Sequence, residues 1–230
     1  MKQLVIFTGA GISAESGIKT FRDSDGLWEN YNIADVATPE AWERDADLVL
    51  DFYNQRRKQV FEASPNDGHL ALVELEKKFK VHVITQNIDD LHERAGSKNV
   101  LHLHGEITKA RSESDHRLVY PLAHWEMKPG MKNEEGHRLR PHIVWFGEAV
   151  PAMDTAIFLT MKADIFIVIG SSLEVYPAAS LINYAPEHSQ QYLIDPHYKP
   201  AFEKERLTVI TDKAGKAVPQ LVHQLLQNHV

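Results

Sequence analysis

Hydrophobic positions in this chain fall into short clusters separated by longer stretches of helical spacing. Apolar runs cover residues 4–8, 81–85, 100–104, 143–146, 165–170, 192–195 and 207–211, and most are followed by segments with a helix-like pattern. Such runs suit strands buried on both faces, and strands that alternate with helices assemble into a parallel sheet covered on both sides. The pattern therefore predicts an α/β fold on a doubly wound parallel sheet. Two stretches interrupt it. Residues 31–64 read as a loop and a long helix, and residues 107–140 are polar, irregular and rich in His, Glu and Lys. Both are expected as insertions that pack together as a small domain. The large domain then takes residues 1–30, 66–106 and 141–230, and the small one takes 31–65 and 107–140.

The helix near residue 50 carries an anomaly. Trp42, Ala46, Val49, Tyr53 and Val60 form an apolar stripe at spacings of three, four or seven, and Arg56 stands in that stripe between Tyr53 and Val60. Two readings are open: the arginine stem lies on the core edge with its head in water, or Tyr53 and Arg56, at i and i+3, aim a hydroxyl and a cationic fork at one carboxylate.

Other chemistry collects where the runs end. The first feeds Gly9-Ala10-Gly11-Ile12-Ser13-Ala14-Glu15, which continues to Phe21-Arg22. A strand followed by a Gly-x-Gly turn is a local form that meets a diphosphate, although Gly-rich turns also occur without any nucleotide. The second run ends in Thr85-Gln86-Asn87-Ile88-Asp89, whose donors and acceptors serve either a ligand or a helix cap. The third ends in His104-Gly105-Glu106; a histidine there is often structural, yet it titrates near neutrality and suits a general base. Arg140-Pro141-His142-Ile143-Val144-Trp145-Phe146-Gly147-Glu148 and Gly170-Ser171-Ser172-Leu173-Glu174-Val175-Tyr176-Pro177 complete the set.

Composition narrows the options. The 230 residues carry a net charge of −7 with no block of Lys or Arg, which argues against nucleic acid as a partner. No apolar run approaches the ~20 residues of a membrane span, so no membrane association and a cytoplasmic location are expected; the sequence leaves the oligomeric state open, a monomer included. Absence of cysteine excludes disulfides, thiol catalysis and thiolate-bound zinc.

In this order the five segments resemble the sirtuins, NAD-dependent protein deacylases. The likeness rests on the Gly-Ala-Gly-Ile-Ser to Phe-Arg loop, the Thr-Gln-Asn-Ile-Asp run, the His-Gly pair, the Pro-x-x-Val-x-Phe-Gly-Glu segment and the Gly-Ser-Ser-Leu turn, and it extends from Val5 to about Leu226. It implies a Rossmann-like NAD-binding domain in which Gly9, Ala10, Gly11, Ser13, Glu15, Phe21 and Arg22 cradle and cover NAD. Gln86, Asn87 and Asp89 would surround its ribose and nicotinamide, Gly170, Ser171 and Ser172 its adenosine side, and Asp195 and Ala214 its adenine. His104 matches the catalytic base, with Asn87 orienting the ribose and Asp89 the carboxamide. The resemblance further implies transfer of the acyl group from lysine to ADP-ribose with release of nicotinamide. An acyl-lysine peptide would add as a strand between Val144, Phe146, Gly147 and Glu148 on one side and Glu174, Val175 and Tyr176 on the other. Tyr53 and Arg56 are similar to the pair that marks sirtuins preferring succinyl-, malonyl- or glutaryl-lysine, so a desuccinylase and demalonylase with some deacetylase activity is expected. A mono-ADP-ribosyltransferase using the same NAD site, or a non-catalytic NAD-sensing protein, are the alternatives.

The chain departs from the family in its small domain. Most sirtuins hold a structural zinc there with two Cys-x-x-Cys pairs, and this chain has Ser112 and Asp115 about where the first pair would be. Asp115, His116, His124 and His137 are of metal-binding type, but their spacing fits no tetrahedral pattern. No metal is expected; Leu118, Val119, Tyr120, Leu122, Trp125 and Met127 are expected to form an apolar cluster in its place. Asp195 replaces a common Asn, and Lys19 stands where many members have Pro or Arg.

Overall fold

The computed structural model describes residues 1–19, 31–198 and 206–228. Six apolar runs form one parallel sheet: β1 (Gln3–Thr8), β2 (Lys80–Thr85), β3 (Val100–His102), β7 (Ile165–Ile169), β8 (Gln190–Ile194) and β9 (Leu207–Ile210). Their order across the sheet is β3-β2-β1-β7-β8-β9. The chain thus builds outward from β1 in one direction and then from β7 in the other. At such a reversal the loops leaving neighbouring strands diverge, and a crevice opens at their carboxyl ends.

Alternation of side chains along β1 explains the layers. Leu4 and Ile6 face α4 (Asp67–Glu74) and α7 (Ala214–Asn228), meeting Leu72, Val218 and Leu221. Val5 and Phe7 face the opposite side, where α6 (Met153–Thr160) and the helical turn Ala178–Asn183 supply Ala156, Ala178 and Leu181. With both faces covered, β7 is buried throughout and β1 from Leu4 onward, which is why they read as unbroken apolar runs. Among the described residues no helix is long and apolar enough to cross a membrane.

A second sheet is antiparallel, in the order β5-β4-β6, with β4 (Gly105–Ser112), β5 (Val119–Pro121) and β6 (Leu139–Ile143). This corrects two expectations. The stretch 107–140 is not irregular, since β4 alone spans eight residues. Nor does the run 143–146 extend the parallel sheet: its first residue ends β6, and the chain then turns, because the Glu148 carboxylate accepts from the Trp145 amide at 2.8 Å and Gly147 takes φ +91°. The remaining helices are α1 (Ile33–Val36), α2 (Pro39–Arg44), α3 (Ala46–Glu62) and α5 (Leu91–Ala95). The expected stripe is likewise divided. Asp45 breaks it with an extended backbone and caps α3 by accepting from the Leu48 amide at 3.0 Å, leaving Trp42 on α2. Trp42, Val49, Phe52, Tyr53, Met127, Ile143 and Trp145 nevertheless share one core beneath the small sheet.

The apolar cluster expected in place of a metal is only partly present. Met127 is buried and Tyr120 and Leu122 pack against the same core, whereas Val119 and Trp125 are exposed. Polar groups knit the rest. The Ser112 hydroxyl accepts the amides of Ser114 and Asp115 (both 3.2 Å), and Asn133 Oδ1 accepts those of Glu135 and His137. Arg57, fully buried on α3, donates to the carbonyls of Ile107 (2.5 Å) and Trp125 (2.8 Å) and to Asn54 Oδ1 (2.6 Å). Asn54 in turn accepts the Met127 amide and donates to its carbonyl, both at 2.9 Å.

Candidate active site

Beyond the carboxyl ends of the central strands lies a cavity of about 550 Å³. Its wall contains Gly9, Ala10, Gly11, Ser13 and Glu15 after β1, Gln86, Asn87 and Asp89 after β2, and His104 after β3. Gly170, Ser171 and Ser172 follow β7, Asp195 follows β8, and Ala214 opens α7. Tyr53, Arg56, Val144, Phe146, Gly147, Glu148, Val175 and Tyr176 line the same space. Glu174, beside Val175 and Tyr176 in sequence, is exposed and lies outside the cavity wall. Phe21 and Arg22 lie outside the described residues.

The floor is backbone packed on backbone. Gly9 and Gly11 donate their amides to the carbonyls of Ile169 (3.0 Å) and Gly170 (2.9 Å), joining the first loop to the end of β7. A methyl group on Gly170, whose φ is +61°, would sit 2.4 Å from the Ile12 nitrogen, so only glycine permits this approach. Glu15 tethers the loop at its other end by accepting the Gly215 amide at 2.6 Å, beside the start of α7. The result is a fixed, narrow cradle lined by main chain and small hydroxyls, which fits a diphosphate flanked by riboses, while the Asp195 carboxylate offers an acceptor for sugar hydroxyls.

Deeper in the cavity the polar groups are ordered against one another. Asn87 Nδ2 donates to Ser13 Oγ at 3.1 Å, and that hydroxyl donates to Asp89 Oδ2 at 3.0 Å. Burial pushes the Asp89 carboxyl up, while the Leu91 amide and Ser13 pull it back. Two buried histidines with no local sequence signal stand nearby, His69 beside Ser13 and His92 against the Thr8 hydroxyl at 3.0 Å. His69 Nδ1 accepts the Asn66 amide, leaving Nε2–H to face Ser13 Oγ at 3.5 Å, and its ring meets that of His92 edge-on at 4.9 Å. Burial lowers His69 to about 4 and holds His92 well below the usual histidine value, so both are neutral. Their partners lie 56 and 84 residues away, so only the fold reveals them.

His104 is held by a hydrogen bond between Nδ1 and the Gln86 carbonyl at 3.0 Å. A carbonyl only accepts, so Nδ1 carries the proton and Nε2 keeps its lone pair. Burial lowers the pKa of His104, opposed by that carbonyl, and the ring is therefore a neutral base at pH 7. Gly105, at φ +82°, allows β4 to begin at once: a methyl group there would lie 2.1 Å from the His142 oxygen.

His102, two residues earlier, has a different task. Its Nδ1 meets the Asn87 carbonyl at 3.0 Å and its Nε2 meets Glu93 Oε1 at 2.8 Å. Burial disfavours its charge, but Glu93 more than offsets this and raises its pKa. Ligand atoms of Glu93, His102 and Glu106 lie within 4.8 Å of one another, yet Lys109 Nζ already pairs with Glu106 at 2.7 Å. The cluster is an ion-pair brace for the Asn87 loop. Among the described residues, Asp115, His116, His124 and His137 form no comparable group.

The other half of the cavity is built by α3 and the segment after β6. Arg56 is 7% exposed and Tyr53 wholly buried, with the phenol pKa raised by burial. The Glu148 side chain faces inward, held by Arg140 (2.8 Å) and Arg111 (3.0 Å), which keeps its carboxyl ionised despite burial. Phe146 and Tyr176 stand at the mouth, 43% and 70% exposed.

Comparisons with known proteins agree with this geometry. Residues 9–177 match the Sir2 family. The chain is 53% identical over 229 residues to an NAD-dependent protein deacylase of Helicobacter pylori, covering 99% of each chain. The fold is similar to a Sir2 homolog in complex with NAD (TM-score 0.89, 40% identity, 100% of this chain and 91% of that one). It is also similar to a Sir2 protein with a deacetylated p53 peptide and 3'-O-acetyl ADP-ribose (TM-score 0.79, 29% identity, 98% and 93% covered).

Proposed function

The chain belongs to the Sir2 family, and from that premise we propose that it is an NAD-dependent protein-lysine deacylase with preference for acyl groups ending in a carboxylate, succinyl and malonyl above all. NAD is its cofactor, and when bound it supplies an electrophilic ribose carbon with nicotinamide as the leaving group. The residues do the rest. The cradle of Gly9, Gly11 and Gly170 fixes the dinucleotide, and Asn87, Ser13 and Asp89 form a linked set beside the reacting sugar. His104 Nε2 accepts a ribose hydroxyl proton, freeing that oxygen to take the acyl group from lysine. The apolar wall and the burial of the site exclude water, which would otherwise capture the same carbon.

The observation that carries the acyl preference is Arg56. It is a nearly buried cation lining, with Tyr53, the cavity that holds His104. A guanidinium in such a place recognises an anion, and a charge-assisted contact there is worth roughly 1.5–3 kcal/mol, about ten- to a hundredfold in selectivity. The exposed Phe146 and Tyr176 support a peptide laid across the mouth. The test compares kcat/KM for succinyl- and acetyl-lysine peptides on wild type and Arg56→Met. Wild type is expected to favour succinyl and the variant to lose that preference; a wild type favouring acetyl, or equal losses on both, refutes it. His104→Ala is expected to abolish deacylation while NAD still binds, and the acid limb of the wild-type pH profile is expected below pH 6.5, since burial lowers His104.

A further inference from the structure

We propose that Trp145 is a positioning residue for acyl selectivity: its indole N–H turns the Tyr53 hydroxyl into a hydrogen-bond donor toward the acyl terminus. The inference rests on the carboxylate reading of the acyl pocket. Trp145 Nε1 donates to the Tyr53 oxygen at 3.1 Å, between two rings tilted by 34° whose centroids are 6.5 Å apart. A phenol has one proton and can accept from the indole only with its oxygen lone pair. The proton of Tyr53 is thereby directed away from Trp145, and a group that meets this oxygen from the cavity meets a donor. Arg56 is a donor by nature. The pair then offers only N–H and O–H groups, which match a carboxylate, an acceptor without protons, and give an acetyl methyl nothing.

Trp145 can do this because it is itself held. It is buried, its main-chain amide donates to Glu148 Oε2 at 2.8 Å, and the Arg140 guanidinium lies 3.6 Å over its ring. Arg140 in turn donates to both oxygens of Glu148 at 2.8 Å. Glu148 and Arg140 thus fix the indole, the indole fixes the hydroxyl, and the hydroxyl meets the substrate.

The test is a double-mutant cycle on the succinyl-to-acetyl ratio of kcat/KM, using wild type, Trp145→Phe, Tyr53→Phe and the double variant. One hydrogen bond of this kind corresponds to a fall of about three- to tenfold in the ratio for Trp145→Phe. In the Tyr53→Phe background the same change is expected to add less than a factor of two, because there is no hydroxyl left to orient. Were Trp145→Phe unable to fold, β-(3-benzothienyl)alanine at position 145 keeps the bicyclic shape and removes only the N–H. An unchanged ratio in Trp145→Phe with a reduced one in Tyr53→Phe overturns this role and leaves the carboxylate reading standing. Equal falls on both peptides, or additive effects in the cycle, make Trp145 a packing residue and overturn it too. A wild type that prefers acetyl overturns the carboxylate reading itself.

Discussion

Replacing Arg57 by Met removes one guanidinium and leaves three acceptors without their donor: the carbonyls of Ile107 and Trp125 and the side-chain oxygen of Asn54. Burial lowers the Arg57 pKa only to about 10, so the group is a cation at pH 7.5 and its hydrogen bonds are charge-assisted. Such bonds contribute roughly 1.5–3 kcal/mol each, and the gross sum exceeds the net effect because Met recovers apolar contact and the loop relaxes. The expected loss is about 4 kcal/mol, within the range for breaking a buried polar pair. At roughly 2–4 °C per kcal/mol for a chain of this size, Tm falls by about 8–16 °C. Arg117→Met is the control. Arg117 pairs with Asp115 at 2.8 Å, but its side chain is 89% exposed, and a screened pair of that kind leaves Tm nearly unmoved. Circular dichroism melts and urea titrations read both variants, and the same melts in EDTA test whether a metal shares the task; no shift is expected. A Tm for Arg57→Met within about 3 °C of wild type, or an equal loss in Arg117→Met, refutes the claim that buried hydrogen bonds hold this module.

Two further outcomes follow from the neutral histidines and the glycine floor. His69 has a folded pKa of about 4 against 6.5 in the unfolded chain, so the unfolded state takes the proton first and stability is lost as pH falls below 6.5. Between pH 7.5 and 5.5 this one group costs about 1.4 kcal/mol; His92 acts in the same sense, while His102, raised by Glu93, stabilises below 6.5 and opposes them. The urea midpoint of wild type is expected to drop more over that interval than that of His69→Gln, and equal drops count against the assignment. Gly170→Ala places a methyl group 2.4 Å from the Ile12 nitrogen, and calorimetry is expected to show NAD affinity reduced at least about tenfold; affinity within twofold of wild type means that the floor yields freely.

Much of the large sheet was legible because its signals are local. A strand buried on both faces writes itself as an apolar run, and β1, β2, β7 and β8 needed no distant information. The cradle was legible for the same reason, since glycine before a polar turn is a short-range requirement of the backbone. Legibility ended where a residue's meaning depends on something far along the chain. Nothing local marks Arg57, because the carbonyls that satisfy it lie 50 and 68 residues away. The link from Trp145 to Tyr53 spans 92 residues, and a tryptophan in an apolar run reads as core. β4 is rich in charge, and Arg111 on it and Arg140 on β6 reach inward to Glu148, so polarity hid a strand pairing. The division of the helix at Asp45 was different: an aspartate before an apolar stretch is a recognisable cap, and the continuous stripe outweighed it.

His104 occupies the short link between the end of β3 at His102 and the start of β4 at Gly105. The parallel sheet thus ends just before this histidine and the antiparallel one begins one residue after it, so the two sheets meet at the proposed base. The joint has little latitude: the residue after His104 must be glycine, because its φ is +82° and the His142 carbonyl fills the space a side chain would need, so the spacing between the two sheets is set at a single residue.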